Sequence, residues 1–354
     1  MSAAHIPAIV LGGTGYVSGE LLRLIAGHPQ LRLAGILSDS QPGTLVSSAF
    51  GHLAAIYPLT RFSSQEQIEE LVATLPVSAI ISAAPHGASA ALIDRLLTVA
   101  EAAGTQPRVV DISADFRYRT AEAYAAVYKH AHGAPARLSQ FSCAVPEHLA
   151  QAPTPHVAHP GCFATAILLA SVPLLKLGLV SPQLYVSGIT GSTGSGRKPT
   201  DGTHHPQRHS DLYAYNALVH RHTPEVAACA LDASGVAAEF NFVPHSGPFA
   251  RGIHVTVQAQ LREPLDTAAL LAAFDQFYAH SPFVHVAAAA PRIKDVAGSN
   301  YARLSVAANG RSVAVMSVID NLNKGAAGGA LQWMNRLLGL AETAGLTAPA
   351  AGWT

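Results

Sequence analysis

Ala8-Ile9-Val10-Leu11-Gly12-Gly13-Thr14-Gly15 is an apolar run that breaks into glycines, and a helical pattern over 19–26 follows it. A short strand without alternation is the kind that parallel sheets bury on both faces. The turn behind it lets a pyrophosphate approach the backbone at a helix start, where unpaired N–H groups and the dipole favour anions. Gly12 and Gly15 hold two positions of a G-x-x-G-x-x-G spacing, and Ser18 stands at the third, beside Gly19. Alone, such a turn is a weak signal.

Outward from this turn, strand and helix alternate. Residues 31–37 read as a second strand, and Ser63-x-x-Glu66 as a capping box opening a helix over 65–75. A strand over 77–84 ends in Ala84-Pro85-His86-Gly87; a helix over 89–103 stops at Gly104, and a strand covers 108–112. This alternation predicts a doubly wound parallel sheet. From Leu184 the pattern changes, with strand-like runs at 239–243, 252–261, 302–307 and 312–319. They predict a second, α+β domain with a mostly antiparallel sheet. The expected division is 1–161 with 325–354 for nucleotide binding and 162–324 for catalysis and dimerisation. A last helix over 324–340 carries Ala327, Leu331, Met334 and Leu338 on one face and is expected to return to the first domain. The tail after Ala341 reads as loose.

Composition narrows the function classes. The chain has 354 residues, enough for two domains; only 12% are charged, and Lys+Arg equals Asp+Glu at 22 each. That balance argues against a nucleic-acid or anionic-membrane surface. The most apolar stretch, 162–175, is broken by Pro173 and is too short for ~30 Å of hydrocarbon, so a buried helix is expected. No basic segment precedes the first apolar run, and the three cysteines have no metal spacing. A reduced, cytoplasmic protein without a signal peptide fits. His204, His205 and His209 lie in a Gly/Pro/Arg loop, which reads as solvated or substrate-side, and no metal is expected.

The second informative motif is His159-Pro160-Gly161-Cys162, running into the apolar helix. It puts a thiol at a helix start, where free N–H groups favour thiolate. Cys143 and Cys229 have no such setting and read as packing residues. A thiolate nucleophile behind a dinucleotide turn implies acyl-level redox chemistry through a thioester. His220 and His222 are the candidate acid/base groups; if 219–222 is extended, both rings face one wall. The sequence does not separate them. Tyr215 and Glu225 flank the pair. Arg117, Arg197 and Arg251 sit in glycine- or acid-rich loops and suit anionic groups. Asp111 and Asp115 are alternative partners for Arg117. At the end of the second strand, Asp39 would favour NAD by holding a ribose hydroxyl, whereas Ser38 and Ser40 would bond a 2′-phosphate.

Eight motifs in order carry a resemblance over about 6–341. They are Gly12-Gly13-Thr14-Gly15-Tyr16 with Glu20-Leu21-Leu22-Arg23-Leu24, Pro85-His86-Gly87-x-Ser89, Asp111-x-Ser113-Ala114-Asp115-Phe116-Arg117 and Pro160-Gly161-Cys162-Phe163-x-Thr165. Gly194-Ser195-Gly196-Arg197, His220-Arg221-His222-Thr223-Pro224-Glu225, Arg251-Gly252-Ile253 and Asp320-Asn321-Leu322-x-Lys324-Gly325-Ala326-Ala327 complete them. The chain resembles the N-acetyl-gamma-glutamyl-phosphate reductases of arginine biosynthesis, in the aspartate-semialdehyde-dehydrogenase-like superfamily. It departs from their pattern at Phe163, His159, Ser18 and Asp39. The resemblance implies a Rossmann-type first domain, an NADPH cofactor without metal, and a homodimer or homotetramer. It implies reduction of N-acetyl-gamma-glutamyl phosphate to N-acetylglutamate 5-semialdehyde and phosphate. Cys162 is then the nucleophile, with His220 and His222 beside it. Arg117, Arg197, Tyr215, Glu225 and Arg251 are the implied substrate contacts. Gly12, Thr14, Gly15, Tyr16, Val17, Ser38, Ser40, Pro85, Ser192 and Asn321 are the implied cofactor contacts. A sister reductase of carrier-linked aminoadipyl phosphate in lysine biosynthesis is the alternative, although its acidic carrier would call for a basic face.

Overall fold

Ala8, Ile9, Val10 and Leu11 are fully buried in the first strand, which accounts for an apolar run with no polar alternation. The computed structural model describes residues 5–352; the outer ends of the expected nucleotide-binding domain, 1–4 and 353–354, lie outside the described residues. The chain forms two units, one built from the chain up to Cys143, Gln151–His159 and Ala327–Thr347, the other from Ala144–Ala150, Pro160–Ala326 and the stretch from Ala348.

The first unit runs β1 (Ile6–Leu11), α1 (Tyr16–Ala26), β2 (Leu31–Ile36), α2 (Val46–Ala49), α3 (Gln65–Thr74), β3 (Val77–Ser82), α4 (Ser89–Ala103), β4 (Gln106–Asp111), α5 (Ala121–Tyr128), β5 (Phe141–Cys143) and β6 (His156–Ala158). The strands form one parallel sheet in the order β2-β1-β3-β4-β6-β5. Strand order reverses beside β1, so the glycine turn opens at the switch point where such sheets receive ligands. The capping box of α3 lies one residue later than the sequence suggests. Ser64 Oγ accepts from Gln67 N–H and the Gln67 side chain accepts from Ser64 N–H. Ser63 is still extended there, donating its N–H to the Ile36 carbonyl at 2.7 Å.

The second unit runs α6 (Cys162–Lys176), β7 (Gln183–Thr190), α7 (His205–Arg208), β8 (Tyr213–Ala214), α8 (Thr223–Ser234), β9 (Glu239–Ser246), β10 (Ile253–Gln260), α9 (Thr267–Phe277), β11 (Val284–Val286), β12 (Ala302–Asn309) and β13 (Ser312–Ile319). Its sheet has the order β11-β12-β13-β10-β7-β9-β8. Only β7/β9 and β11/β12 pair in parallel. Leu184, Val186, Phe240 and Phe242 point inward with a period of two, toward α6 and α8. Every residue of α6 from Phe163 to Leu175 is buried, so the helix is apolar all round.

Pro173 inside α6 has no N–H to give the Leu169 carbonyl. Tyr278 Oη donates to that carbonyl instead, at 2.7 Å, and accepts from His148 Nε2 at 2.9 Å. Beside it Lys324 Nζ and Glu147 Oε1 form a fully buried pair at 2.5 Å. These two contacts join Ala144–Ala150 to the second unit.

The C-terminal helix opens with a π-turn, Asn323–Ala327, and continues as α10 (Gly328–Leu337), ending three residues before the expected run. It packs on β3, β4 and α1 of the first unit, with Trp333 fully buried. The tail is docked rather than loose. Asn335 Nδ2 donates to the carbonyls of Glu342 (3.2 Å) and Ala344 (2.9 Å), and Leu346 is buried.

Candidate active site

In the first unit the glycine turn is fixed by close backbone approach. Gly12 has φ +85°, and a Cβ there would lie 2.5 Å from the Ala83 carbonyl oxygen. At Gly15, by contrast, a Cβ would meet nothing nearer than the Gly12 oxygen at 3.9 Å. Gly15 caps α1 without a side-chain bond, and no acid stands in the first turn. Open space before bare helix N–H groups fits a pyrophosphate. Ser18, at the third position, is buried and donates to the Gly12 carbonyl at 2.6 Å, so its hydroxyl straps the turn. Thr14 and Val17 are half-buried and Tyr16 is exposed at the start of α1. Pro85 is exposed after β3, its carbonyl accepting from Ala88 and Ser89.

At the end of β2, Ser38 is buried and its Oγ accepts from the Gln41 N–H at 3.3 Å, with Ser40 Oγ 3.5 Å away. Asp39 and Ser40 are exposed. Further along the sheet Arg117 is buried, donating to the carbonyls of His159 (3.0 Å) and Ile112 (2.6 Å). Asp111 accepts from Ser89 and Ser113, and Asp115 from Gly87, Ala90 and Tyr124. Burial pushes the Asp111 carboxyl up to about 6, against bonds from Ser113 that pull it down.

In the second unit Cys162 is the first residue of α6, half-buried, with Gly161 as N-cap. First-turn N–H groups have no partner within a helix, so the thiol sits at the positive end of α6. Glu225, expected among the substrate contacts, is fully buried; its Oε1 accepts from Gly161 N–H at 2.6 Å. It holds the turn that presents the thiol. Gly325, in the π-turn, closes the other side: a Cβ there would lie 2.8 Å from Cys162 Cβ. Phe163 lies over Gly188 of β7, where a Cβ would meet its ring at 2.6 Å.

The two histidines meet by a turn, since 219–222 is not extended. Asn216 (φ +45°) and Leu218 (φ +64°) bend the chain, Leu218 N–H bonds the Phe242 carbonyl, and His222 caps α8. The His220 ring is buried among Phe163, Tyr215, Phe242 and His222, with centroids 5.8, 5.7, 5.3 and 4.8 Å away. Burial, then the Arg221 charge, pushes the imidazole down to about 4. Its Nδ1 accepts the His222 N–H at 3.2 Å, so the neutral ring carries its proton on Nε2. Tyr215 is raised well above the usual phenol range, first by burial and then by the charge of Cys162.

The remaining expected contacts of this unit are tied to its own loops. Arg251 forms a two-pronged pair with the buried Asp320, at 2.9 and 3.1 Å. Asp320 also accepts from Gly298, Leu322 and Asn323 N–H groups, fixing the exit of β13. Asn321, expected at the nicotinamide, accepts from Gly252 N–H (2.8 Å) and donates to Thr193 Oγ1 (3.0 Å). Ser192 is half-buried, its N–H bonding the Phe249 carbonyl at 2.9 Å, and Arg197 is exposed. Among the described residues no group of His, Cys, Asp and Glu could hold a metal, and no helix is long and apolar enough to cross a membrane.

A glycine turn at the switch point of a doubly wound sheet, and a helix-start cysteine and a packed histidine pair on a mixed sheet, are the features of a dinucleotide-binding oxidoreductase. Residues 7–155 match the NAD-binding domain of semialdehyde dehydrogenases, and 162–321 match their dimerisation domain. The N-acetyl-gamma-glutamyl-phosphate reductase of Alkalilimnicola ehrlichii is 39% identical, across 96% of this chain and 98% of that protein. That of Pseudomonas aeruginosa is 40% identical, across 96% and 97%. Aspartate semialdehyde dehydrogenase II of Vibrio cholerae has the same fold, with TM-score 0.68 at 15% identity over 95% of this chain and 99% of that one. The chain belongs to the N-acetyl-gamma-glutamyl-phosphate reductase family of semialdehyde dehydrogenases.

Proposed function

We propose that this protein reduces N-acetyl-gamma-glutamyl phosphate to N-acetylglutamate 5-semialdehyde, releasing phosphate, through a thioester on Cys162. The carrying observation is Cys162 at the positive end of α6, with Glu225 and Gly325 fixing its turn and His220 packed against the next residue, Phe163. The thiolate attacks the γ-carbonyl; the bond from that carbon to the phosphate oxygen breaks, and phosphate leaves. NADPH, when bound, supplies the hydride that reduces the thioester carbon. Collapse of the resulting alkoxide frees the aldehyde and returns the thiolate.

His220 is neutral at physiological pH, and its Nε2–H donates toward the oxygen that becomes negative in each step. It is therefore the donor of the pair. His222 is left to carry the proton that the departing phosphate takes up. Arg117 and Arg251 hold their charges in fixed positions, as clamps for anionic substrate ends, with Arg197 and Tyr215 completing the contacts. Glu225 acts through the turn rather than on substrate.

The cofactor is NADPH, with Ser38 and Ser40 receiving the 2′-phosphate and Asp39 turned away. The setting is the cytoplasm, where thiols stay reduced. Two or four copies associate through the sheet face away from α6, where Tyr185, Val243, Thr256 and Met316 stay partly or fully exposed. A monomeric scattering mass at micromolar concentration would exclude that assembly.

Phosphate-dependent oxidation of N-acetylglutamate 5-semialdehyde is the direct test, run with NADP and with NAD. Turnover that needs phosphate and prefers NADP is expected. Absence of turnover with either nucleotide would sink the reading.

A further inference from the structure

Arg208 is a permanent cation that the second unit buries without a full set of partners. It ends α7, and only 8% of it is exposed. Nη1 donates to the Asp211 carbonyl at 3.1 Å and stands 3.5 Å from that of Ser246, at the limit of a useful bond. Nε and Nη2 are sealed from solvent and meet no hydrogen-bond partner among the described residues. A guanidinium cannot relieve this by losing a proton, and an uncompensated buried charge is costly to any fold.

Its position points toward the reaction. Ser246 is paired with Tyr213 across β8 and β9, and Tyr215 N–H bonds the Pro244 carbonyl. The guanidinium thus meets β9 two residues beyond the one whose carbonyl bonds Tyr215. The Tyr215 side chain in turn feels the Cys162 charge. Residues 197–209 carry Arg197, Lys198, Arg208 and three histidines against Asp201 alone, in a chain that is neutral as a whole.

We propose that Arg208 is an oxyanion ligand of this site, its Nε and Nη2 taking two oxygens of the substrate's phosphate. Nε–H and Nη2–H are the side-on pair that matches phosphate or carboxylate with two parallel bonds. The atoms are reached when α7 shifts, and little holds that helix: it has one turn and no side-chain cap. The assignment rests on the acyl-phosphate reading above. The substrate carboxylate is the other possible source of the same oxygens.

The test pairs a binding measurement with kinetics. Inorganic phosphate is titrated into the wild type, Arg208→Gln and Arg208→Lys, and read by phosphorus line broadening, which needs no turnover. The KM values for phosphate and semialdehyde are measured in the oxidative direction. Arg208→Gln should weaken phosphate binding and raise its KM at least about tenfold, more than kcat falls, with Arg208→Lys in between. A rise confined to the semialdehyde KM keeps the oxyanion role and moves it to the carboxylate. Both KM values within twofold of wild type in a folded Gln variant would overturn the proposal. So would a loss of kcat alone with lowered thermal stability, the mark of a structural prop. If the Gln variant does not fold, unchanged phosphate binding and KM in Arg208→Lys would overturn it too. Weakened phosphate binding in a protein that turns over no semialdehyde would leave Arg208 assigned and remove the acyl-phosphate reading.

Discussion

The glycine turn before α1 and the proposed nucleophile turn before α6 are both strand-to-helix turns with glycine at the helix start, yet they are held in different ways. Gly12–Gly15 is shaped by backbone approach and by Ser18, six residues from the carbonyl that it bonds. Pro160–Cys162 is held by Glu225, 64 residues beyond the N–H that it accepts, and backed by Gly325. A site that binds by backbone N–H groups can be encoded locally. A site that must hold one reactive atom draws its support from several elements.

The sharpest separation of the two comes from Cys162→Ser. A hydroxyl has a far higher pKa than a thiol, so reductase activity should fall by roughly a thousandfold or more. Dinucleotide binding, followed by fluorescence, should stay near wild type. Cys143→Ser and Cys229→Ser should keep most activity. Substantial turnover in Cys162→Ser would end the thioester mechanism.

Glu225 tests whether the nucleophile turn depends on its distant support. Glu225→Ala leaves a buried N–H unpaired, at a cost of about 1–3 kcal/mol. The displaced thiol should lower kcat on the order of a hundredfold. Glu225→Gln keeps the acceptor and should recover much of that loss. Equal kcat in the Ala variant and the wild type would show that Gly161 holds the turn unaided.

What the sequence made legible follows the same division. The buried strand, the glycine turn and the Cys162 helix start are local patterns, and each lies where its residues indicate. The α3 capping box is off by one because Ser63 is drawn into extended pairing with β2. The histidine turn depends on Leu218 at φ +64°, a conformation that leucine does not advertise. Nothing in local spacing links Glu225 to Gly161, Glu147 to Lys324, or Asn335 to the docked tail. Asn321 and Arg251 sit in family motifs, but their partners, Gly252, Thr193 and Asp320, emerge only when β10 and β13 lie side by side.

Acid should act on the nucleophile region through His220. Its folded pKa, about 4, lies below the 6.5 of a free imidazole, so the unfolded chain binds the extra proton between those values. Stability is therefore fully present above pH 6.5 and is lost as pH falls toward 4, by about 2 kcal/mol at pH 5 from this group alone. Burial pushes His148 and His156 to about 4 as well, and they add to the same slope. Urea unfolding at pH 7 and pH 5 measures it. His220→Asn keeps an acceptor for the His222 N–H and removes the titration, so its stability should fall less on acidification. An identical fall in both proteins would place the charge change elsewhere.

The smallest expected effect lies in the cofactor region, at Asp39. The loop is shaped by Ser38, whose buried hydroxyl accepts from Gln41, and Asp39 is exposed beside it. An exposed carboxylate is screened by water and salt, so its repulsion of a 2′-phosphate is weak unless it turns inward. Within ~4–6 Å and partly desolvated, it would instead cost some kcal/mol and select NADH. The measurement is the ratio of kcat/KM for NADPH to that for NADH, in the wild type and in Asp39→Ala. A strong NADPH preference that the substitution changes less than about threefold fits serines that hold the phosphate. A wild type that prefers NADH, and shifts toward NADPH when Asp39 is lost, would mean that the carboxylate faces the ribose and that one exposed residue outweighs the family pattern around it.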